Sequence, residues 1–391
     1  MTLDALIVGG GAAGATTALL LAQAGWSVGL VEQKEFPRRK VCGEFISASS
    51  LPLLQKLGIA DYYLAHAGPE VERVGLYAGD TILISKMPEG NASAKWGRAF
   101  GRESLDTLLL NRAKDLGAQI WQPEQLIDVV AKNGNFVGII RGNQEIPARL
   151  VIIANGSWEK RIGEADNRLH KANDLLAFKA HFKGSSQPLD LMSLLAFPGG
   201  YGGLVNTNGK RVTLSCCIRR DSLQELRQEH PGLPAGEAVL AYIQSSCLGV
   251  KQVLASAERV GSWLAAGPIQ PGIRSCYKDN KFYVGNLAGE AHPIVAEGIS
   301  MAMQSAWLLT QNLMNNKERI LEHKDFASVG ANYTKQWRKH FAPRIHAAAL
   351  FANVAMMRPW ASTLVMPVLR QFPSILTLGA KLSGKIHQIT Q

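Results

Sequence analysis

The chain has 391 residues, 47% of them hydrophobic and 19% charged, which exceeds one ordinary core and excludes a disordered chain. Five cysteines (Cys42, Cys216, Cys217, Cys247, Cys276) form an odd set without Cys-x-x-Cys spacing, so neither a disulfide framework nor a metal site is expected. The net charge of +11 is uneven, eight of its positive charges following Asp325 with no acidic residue among them. The first element is a buried run from Ala5 to Val8, read as a strand, and Gly9-Gly10-Gly11-Ala12-Ala13-Gly14 follows it directly. A helix is predicted over Ala12 to Gln23, Gly25 closes it, and Ser27 to Val31 returns as a parallel strand ending at Glu32. This is the pattern of a dinucleotide site. Gly9 makes the tight turn, Gly11 admits a pyrophosphate to the backbone, and Gly14 allows close helix packing. The helix N-terminus faces the phosphates, and Glu32 accepts ribose hydroxyls.

A polar loop from Gln33 to Gly43 leads to a predicted helix around Ser47 to Leu57, then to short strands between residues 69 and 97. Arg102 opens a helix with apolar residues at Leu105, Leu108, Leu109 and Ala113. Strands are predicted at Gln119 to Trp121, Leu126 to Ala131, Phe136 to Arg141 and Arg149 to Ala154, the last delivering the turn Asn155-Gly156. Residues 172 to 265 read as strands with one helix near Ser222 to Glu229, where Arg219, Arg220 and Asp221 are strand-end charges. The uncharged run Leu191 to Gly209 contains five glycines and Pro198, which argues against a membrane span. A buried strand at Phe282 to Val284 and a helix from Gly298 to Met314 follow.

The segment after Asp325 is basic, apolar and, on this reading, cut into short pieces by Pro343, Pro359, Pro367 and Pro373. Such a tail suits a solvated helical layer or a peripheral contact with an anionic membrane. Sparse charges without interleaved aromatics argue against nucleic acid. Asp4 falls where a signal peptide would need an apolar core, so the protein is expected in the cytoplasm, with membrane contact at the inner face.

The second glycine-rich stretch runs Gly285-Asn286-Leu287-Ala288-Gly289-Glu290-Ala291-His292-Pro293, then Glu297-Gly298-Ile299. With Gly9 to Gly14 and Arg102, it resembles the three flavin signatures of the para-hydroxybenzoate hydroxylase superfamily, which includes geranylgeranyl reductases and flavin-dependent halogenases. The resemblance covers about residues 1–320 and implies FAD, with NADPH or NADH as candidate electron donor. It implies an α/β fold: a discontinuous Rossmann-like FAD-binding domain (1–68, 98–171, 266–325), an inserted β-rich substrate domain (69–97, 172–265) and a C-terminal helical segment (326–391). The cofactor-binding set it implies is Gly9, Gly11, Ala12, Ala13, Gly14, Glu32, Gln33, Arg39, Cys42, Gly43, Arg102, Asn286, Pro293, Gly298 and Ile299.

The loop Phe36-Pro37-Arg38-Arg39-Lys40-Val41-Cys42-Gly43-Glu44 resembles the geranylgeranyl reductase loop whose Cys-Gly pair lies beside the flavin ring. Cys42 is thereby a catalytic candidate, the alternative being a packing thiol. His292 is an acid–base candidate, and Tyr201, among glycines on a turn, a candidate to cover substrate. Glu297 is read as a cap for the helix at Gly298.

The sequence departs from the superfamily at Asn155 and Asn286, where aspartate is usual, and Glu159 and Ile162 occupy the offsets of an expected Ser and Arg. No two tryptophans lie two apart, so the halogenase motif is absent. Phe197-Pro198 keeps only part of the reductase cavity motif. The expected function is an FAD-dependent oxidoreductase of a lipophilic small molecule, favoured as a hydroxylase of a polyketide, quinone precursor or similar ring. The alternatives are geranylgeranyl-reductase-like reduction or dehydrogenation of carbon–carbon bonds, and a non-catalytic flavin carrier.

Overall fold

A computed structural model describes residues 2–90, 95–132, 134–157, 170–356 and 366–385. In chain order, β1 (Leu3–Val8), α1 (Ala12–Gln23) and β2 (Val28–Val31) form the opening βαβ unit. Then come α2 (Leu51–Lys56), β3 (Arg73–Ala78), β4 (Thr81–Lys86) and α3 (Arg102–Asp115). Four strands follow: β5 (Gln119–Trp121), β6 (Leu126–Lys132), β7 (Asn135–Ile140) and β8 (Glu145–Ile153). The next four are β9 (Leu175–Lys183), β10 (Leu191–Phe197), β11 (Gly200–Thr207) and β12 (Arg211–Arg219). Helices α4 (Arg220–Glu229), α5 (Ala235–Ser246) and α6 (Leu248–Val253) precede β13 (Glu258–Ile269) and β14 (Lys281–Tyr283). Last come α7 (Gly298–Met314), α8 (Phe326–Ala355) and α9 (Ser374–Leu382).

The first sheet carries the parallel order β14–β8–β1–β2–β5, with β7 and β6 added antiparallel beside β8. Buried Ala5, Leu6 and Ile7 make β1 central, because helices cover one face of the sheet and strands β6 and β7 the other. The second sheet runs β13–β9–β12–β11–β10–β3–β4, antiparallel except where β10 meets β3. One of its faces packs on α4, α5 and α6 through Phe178, Ala180, Leu204 and Leu214. The other faces the first domain. The fold is therefore the mixed α/β architecture expected, with the cofactor sheet interrupted by the strands of the second sheet.

Three expectations fail here. Residues 172–265 hold three helices, not one; α5 was missed because Gly236, Ala238 and Ala241 dilute the apolar period, although Val239 and Ile243 are buried, and α6 because six residues are too few to show a helical period. Pro343 does not break the tail, because α8 runs through it for 30 residues. The proline sits on the exposed side, where water can take the carbonyl it orphans, while Trp337, Phe341, Ile345 and Ala348 hold the inner side. Nor is the tail's basic face wholly solvated: Arg344 is buried and donates to Gln304 Oε1 at 2.8 Å, and Lys385 is buried too. Pro373 does separate helices, standing directly before α9. Pro359, Glu159 and Ile162 lie outside the described residues.

Candidate functional site

The two glycine stretches, the 34–45 loop and the inner face of the second sheet surround one cleft. It holds about 1840 Å³ of unfilled space, counting its solvent-open mouth.

The glycines divide by what a side chain would meet. Gly9 has φ +100°, and a Cβ there would lie 2.7 Å from the Asn155 backbone; one on Gly14 would lie 1.8 Å from the Gly9 carbonyl oxygen. These two make the strand–helix turn. A Cβ on Gly11 would meet only the Arg102 guanidinium at 3.5 Å, and one on Gly43 or Gly298 would meet nothing within 4 Å. Those three face open space from three separate loops, which is the cradle a bound dinucleotide requires. Neither α1 nor α7 has a side-chain cap, and neither carries an acid in its first turn. Their free N–H groups are available to anionic groups in the cleft.

Glu32 is oriented rather than free: its carboxylate accepts the N–H of Gly10 at 2.7 Å and of Lys34 at 2.8 Å, with Arg38 at 3.6 Å. Arg102 is buried beside Gly11, its guanidinium forked onto Asp106 at 2.7 and 2.8 Å. Burial opposes its charge, but the Asp106 carboxylate outweighs that and keeps it cationic. Ala12, Ala13, Cys42, Asn286, Pro293 and Ile299 also line the cleft. Two expected cofactor residues are elsewhere. Gln33 does not line the cleft, and Arg39 reaches across to donate to the Ser262 carbonyl at 3.2 Å; Lys34, Arg38, Lys40 and Arg102 are the cleft's basic residues.

Cys42 is half-buried, and its Sγ accepts the Glu44 N–H at 3.4 Å. Tyr201 is not on a turn. It lies within β11, buried, with its hydroxyl 3.1 Å from His292 Nδ1. Burial pushes the Tyr201 hydroxyl well above its ordinary range and pulls His292 down to about 4, so at neutral pH both are uncharged. The hairpin glycines explain the change: Gly200 stacks under the Phe197 ring, turning Phe197 to the helix-covered face and Tyr201 to the cleft.

Glu297 does not cap α7. Its carboxylate instead meets Lys385 Nζ at 3.0 Å and the Ser47 hydroxyl at 3.3 Å. Asn286 donates its amide to Glu290 Oε1 at 3.0 Å, while Ser157 and Arg274 hold Oε2 at 2.7 and 3.4 Å. An aspartate at 286 would set two carboxylates against each other; asparagine is what Glu290 permits.

The sequence reading also missed a buried cluster behind Cys42. Glu44, at φ +65°, drops its carboxylate onto the second sheet, where Lys179 Nζ, His181 Nε2 at 3.1 Å and Thr213 Oγ1 at 2.5 Å donate to it. Burial raises the Glu44 pKa, but the His181 hydrogen bond and the Lys179 charge overcome this and hold it far below the usual carboxylate range. Arg211 Nη1 lies 3.5 Å from His181 Nδ1, so Nε2 carries the proton given to Glu44. The available signal was Lys179 and His181 two apart in a strand that is apolar up to its exposed end at Lys183. Strand register carries this row into the cleft floor: Lys179 pairs Ser215, Ser215 pairs Gly203, and Gly203 pairs Leu194.

Comparison with known proteins agrees with this geometry. Residues 2–316 match the family model described as FAD binding domain. Conditioned medium factor receptor 1 of Dictyostelium discoideum is 23% identical over 98% of this chain and 74% of its own. Digeranylgeranylglycerophospholipid reductase 1 of Methanopyrus kandleri is 24% identical over 92% of this chain and 91% of its own. The structure of the flavin-dependent brominase Bmp2 superposes with a TM-score of 0.76 at 18% identity, covering 98% of this chain and 94% of that one, and shows the shared fold. The chain belongs to the FAD-binding family and is an FAD-dependent oxidoreductase.

Proposed function

We propose that this flavoenzyme adds hydrogen across, or in reverse removes it from, a carbon–carbon bond of a lipophilic substrate. The observation that carries the reading is the shape of the cleft. From the Cys42-Gly43 cradle it continues onto a sheet floor of Ala177, Met192, Leu194 and Gly203, with Tyr201 as a protonated hydroxyl backed by neutral His292. The expectation of hydroxylation rested on the Phe197–Tyr201 segment, but Phe197 faces away from the cleft and does not speak for that chemistry. A lipid reductase that matches along nine-tenths of both chains supports the proposal.

Gly11, Gly43 and Gly298 would hold FAD, which, reduced by a two-electron donor such as NADPH or NADH, would supply the hydride. The residues do the rest. Apolar strand residues orient the chain and exclude water. The Tyr201 hydroxyl delivers the proton to the second carbon, while His292, in the tautomer protonated at Nδ1, donates to the Tyr201 oxygen and leaves its hydrogen aimed at the substrate; water entering the cleft after product release restores the proton. Cys42, between the Glu44 N–H and Arg102, stands at the cofactor end of the cleft.

The test is anaerobic reduction of the FAD-loaded enzyme by NADPH and NADH, followed by a geranylgeranyl-bearing lipid. Reoxidation of the flavin under nitrogen with a product heavier by two hydrogens is expected. A product gaining one oxygen atom, formed only in air, would overturn the reading in favour of hydroxylation. Failure of every donor to reduce the flavin would leave a flavin carrier.

A further inference from the structure

Helix α9 has two faces with different neighbours. Inward, Leu376 and Ala380 pack against Val74, Met192 and Val205, and Thr377 Oγ1 lies 2.9 Å from Ser85 Oγ. Met192 and Val205 also line the cleft, so α9 is the outer wall of the cleft floor. Outward, Ile375, Leu378 and Leu382 are exposed, the last two by 54% and 56%, and Phe372 precedes them at 53%. The end of α8 lies alongside, since Phe351 would lie 3.5 Å from a Cβ on Gly379, and its neighbour Leu350 is 62% exposed.

Contiguous exposed apolar side chains of this kind mark an interaction surface. The surrounding charges select the partner. Lys86, Arg370 and Lys381 are exposed around the ridge, Lys86 being tied to α9 through its carbonyl at 2.6 Å from Thr377 Oγ1, and the chain carries no acid after Asp325. A second copy would set these cations against one another, whereas an anionic bilayer pairs them while taking up the apolar side chains. The ridge is also anchored: Lys385, just after α9, donates to the Val295 carbonyl at 2.9 Å and to Glu297 at 3.0 Å. Among the described residues no helix is long and apolar enough to cross a membrane, so contact would be at the surface.

We propose that α9 and the adjoining end of α8 dock this protein on an anionic lipid surface, placing the outer wall of the cleft against the bilayer. Docking stands on the ridge and its cations; its use in substrate entry rests on the lipophilic-substrate reading above. The test is flotation of the full-length, FAD-loaded protein with phosphatidylcholine vesicles, with and without one-third phosphatidylglycerol. The wild-type protein should float with the anionic vesicles at low salt. A Leu378→Ser/Leu382→Ser variant should float about tenfold less while keeping its flavin. Lys381→Glu, which spares the ridge, should lose binding to anionic vesicles selectively. No flotation of the wild type, equal flotation of the double variant, or a wild-type dimer that the double variant abolishes would overturn the proposal. Flotation without turnover of any lipid would overturn the substrate reading alone. Turnover of detergent-dispersed lipid without flotation would overturn the docking alone.

Discussion

Replacing Lys179 with Met tests whether the cluster behind Cys42 is held by charge. Both partners of the Lys179–Glu44 pair have fully buried side chains, so water cannot screen the loss, and methionine fills nearly the same space. Removing one partner of a buried pair costs about 3–5 kcal/mol, because the other charge is left uncompensated. The lower end applies here, since His181 and Thr213 still donate to Glu44. A loss of ~3 kcal/mol lowers the unfolding midpoint of a 391-residue chain by about 4 °C. Adding Glu44→Gln removes the orphaned charge and should return at least about 2 kcal/mol of that loss, a coupling that separate defects would not show. Circular dichroism reports the fold and flavin fluorescence reports cofactor release during the same thermal scan. A single variant within about 1 kcal/mol of wild type, or a double variant no better than the single, would refute the ionic reading. The acid limb gives an independent check. Glu44 has a depressed folded pKa, so its contribution is present above the unfolded value of 4.5 and is lost as pH falls from there. Wild-type protein should therefore destabilise below pH 4.5 more steeply than the double variant.

Gly11→Val should abolish FAD retention, since its side chain would enter the open space beside Arg102; a purified variant that stays yellow would contradict the cradle. Asn286→Asp should weaken flavin binding through repulsion from Glu290, and Asn286→Asp/Glu290→Gln should recover much of it by fluorescence titration; no recovery would refute the pairing. Cys42→Ala should slow turnover with FAD still bound, and an unchanged rate would make Cys42 a packing residue. His292 is neutral when folded, with its pKa lowered by burial to about 4, so the unfolded chain binds more protons between about pH 4 and 6.5. Its contribution to stability is full above that window and is lost as pH falls through it, and His292→Gln should flatten that part of a denaturation profile.

Much of the cofactor half was legible because its signals are local. The predicted helices over 12–23 and 298–314 are the observed ones, and β1, β2, β5 and β8 lie where buried runs placed them. The substrate half was less so. Whether Tyr201 faces the cleft depends on how Gly200 meets Phe197 across a hairpin, which no spacing reveals. Glu44 reads as a loop carboxylate until β9 and β12, more than 130 residues away, supply Lys179, His181 and Thr213. Pro343 reads as a helix breaker because propensity is local, whereas the buried side of α8 is a tertiary fact.

These hidden residues share a logic. Three buried carboxylates border the cradle: Glu44 and Glu297 stand beside the open Gly43 and Gly298, and Glu290 lines the cleft four residues after Asn286, the three exposed by only 0%, 0% and 4%. Each meets a cation from a different part of the chain, Lys179 of the second sheet, Lys385 of the tail, and Arg274 before β14. Unpaired, three buried negative charges would oppose an anionic cofactor and the charge a flavin gains on reduction. Paired, they fasten loops that short-range propensity leaves free, and each pair ties the cradle to another segment. A change at Lys179 or Lys385, distant in sequence from every flavin motif, should therefore register first in the absorption spectrum of the bound flavin, before it registers in the fold.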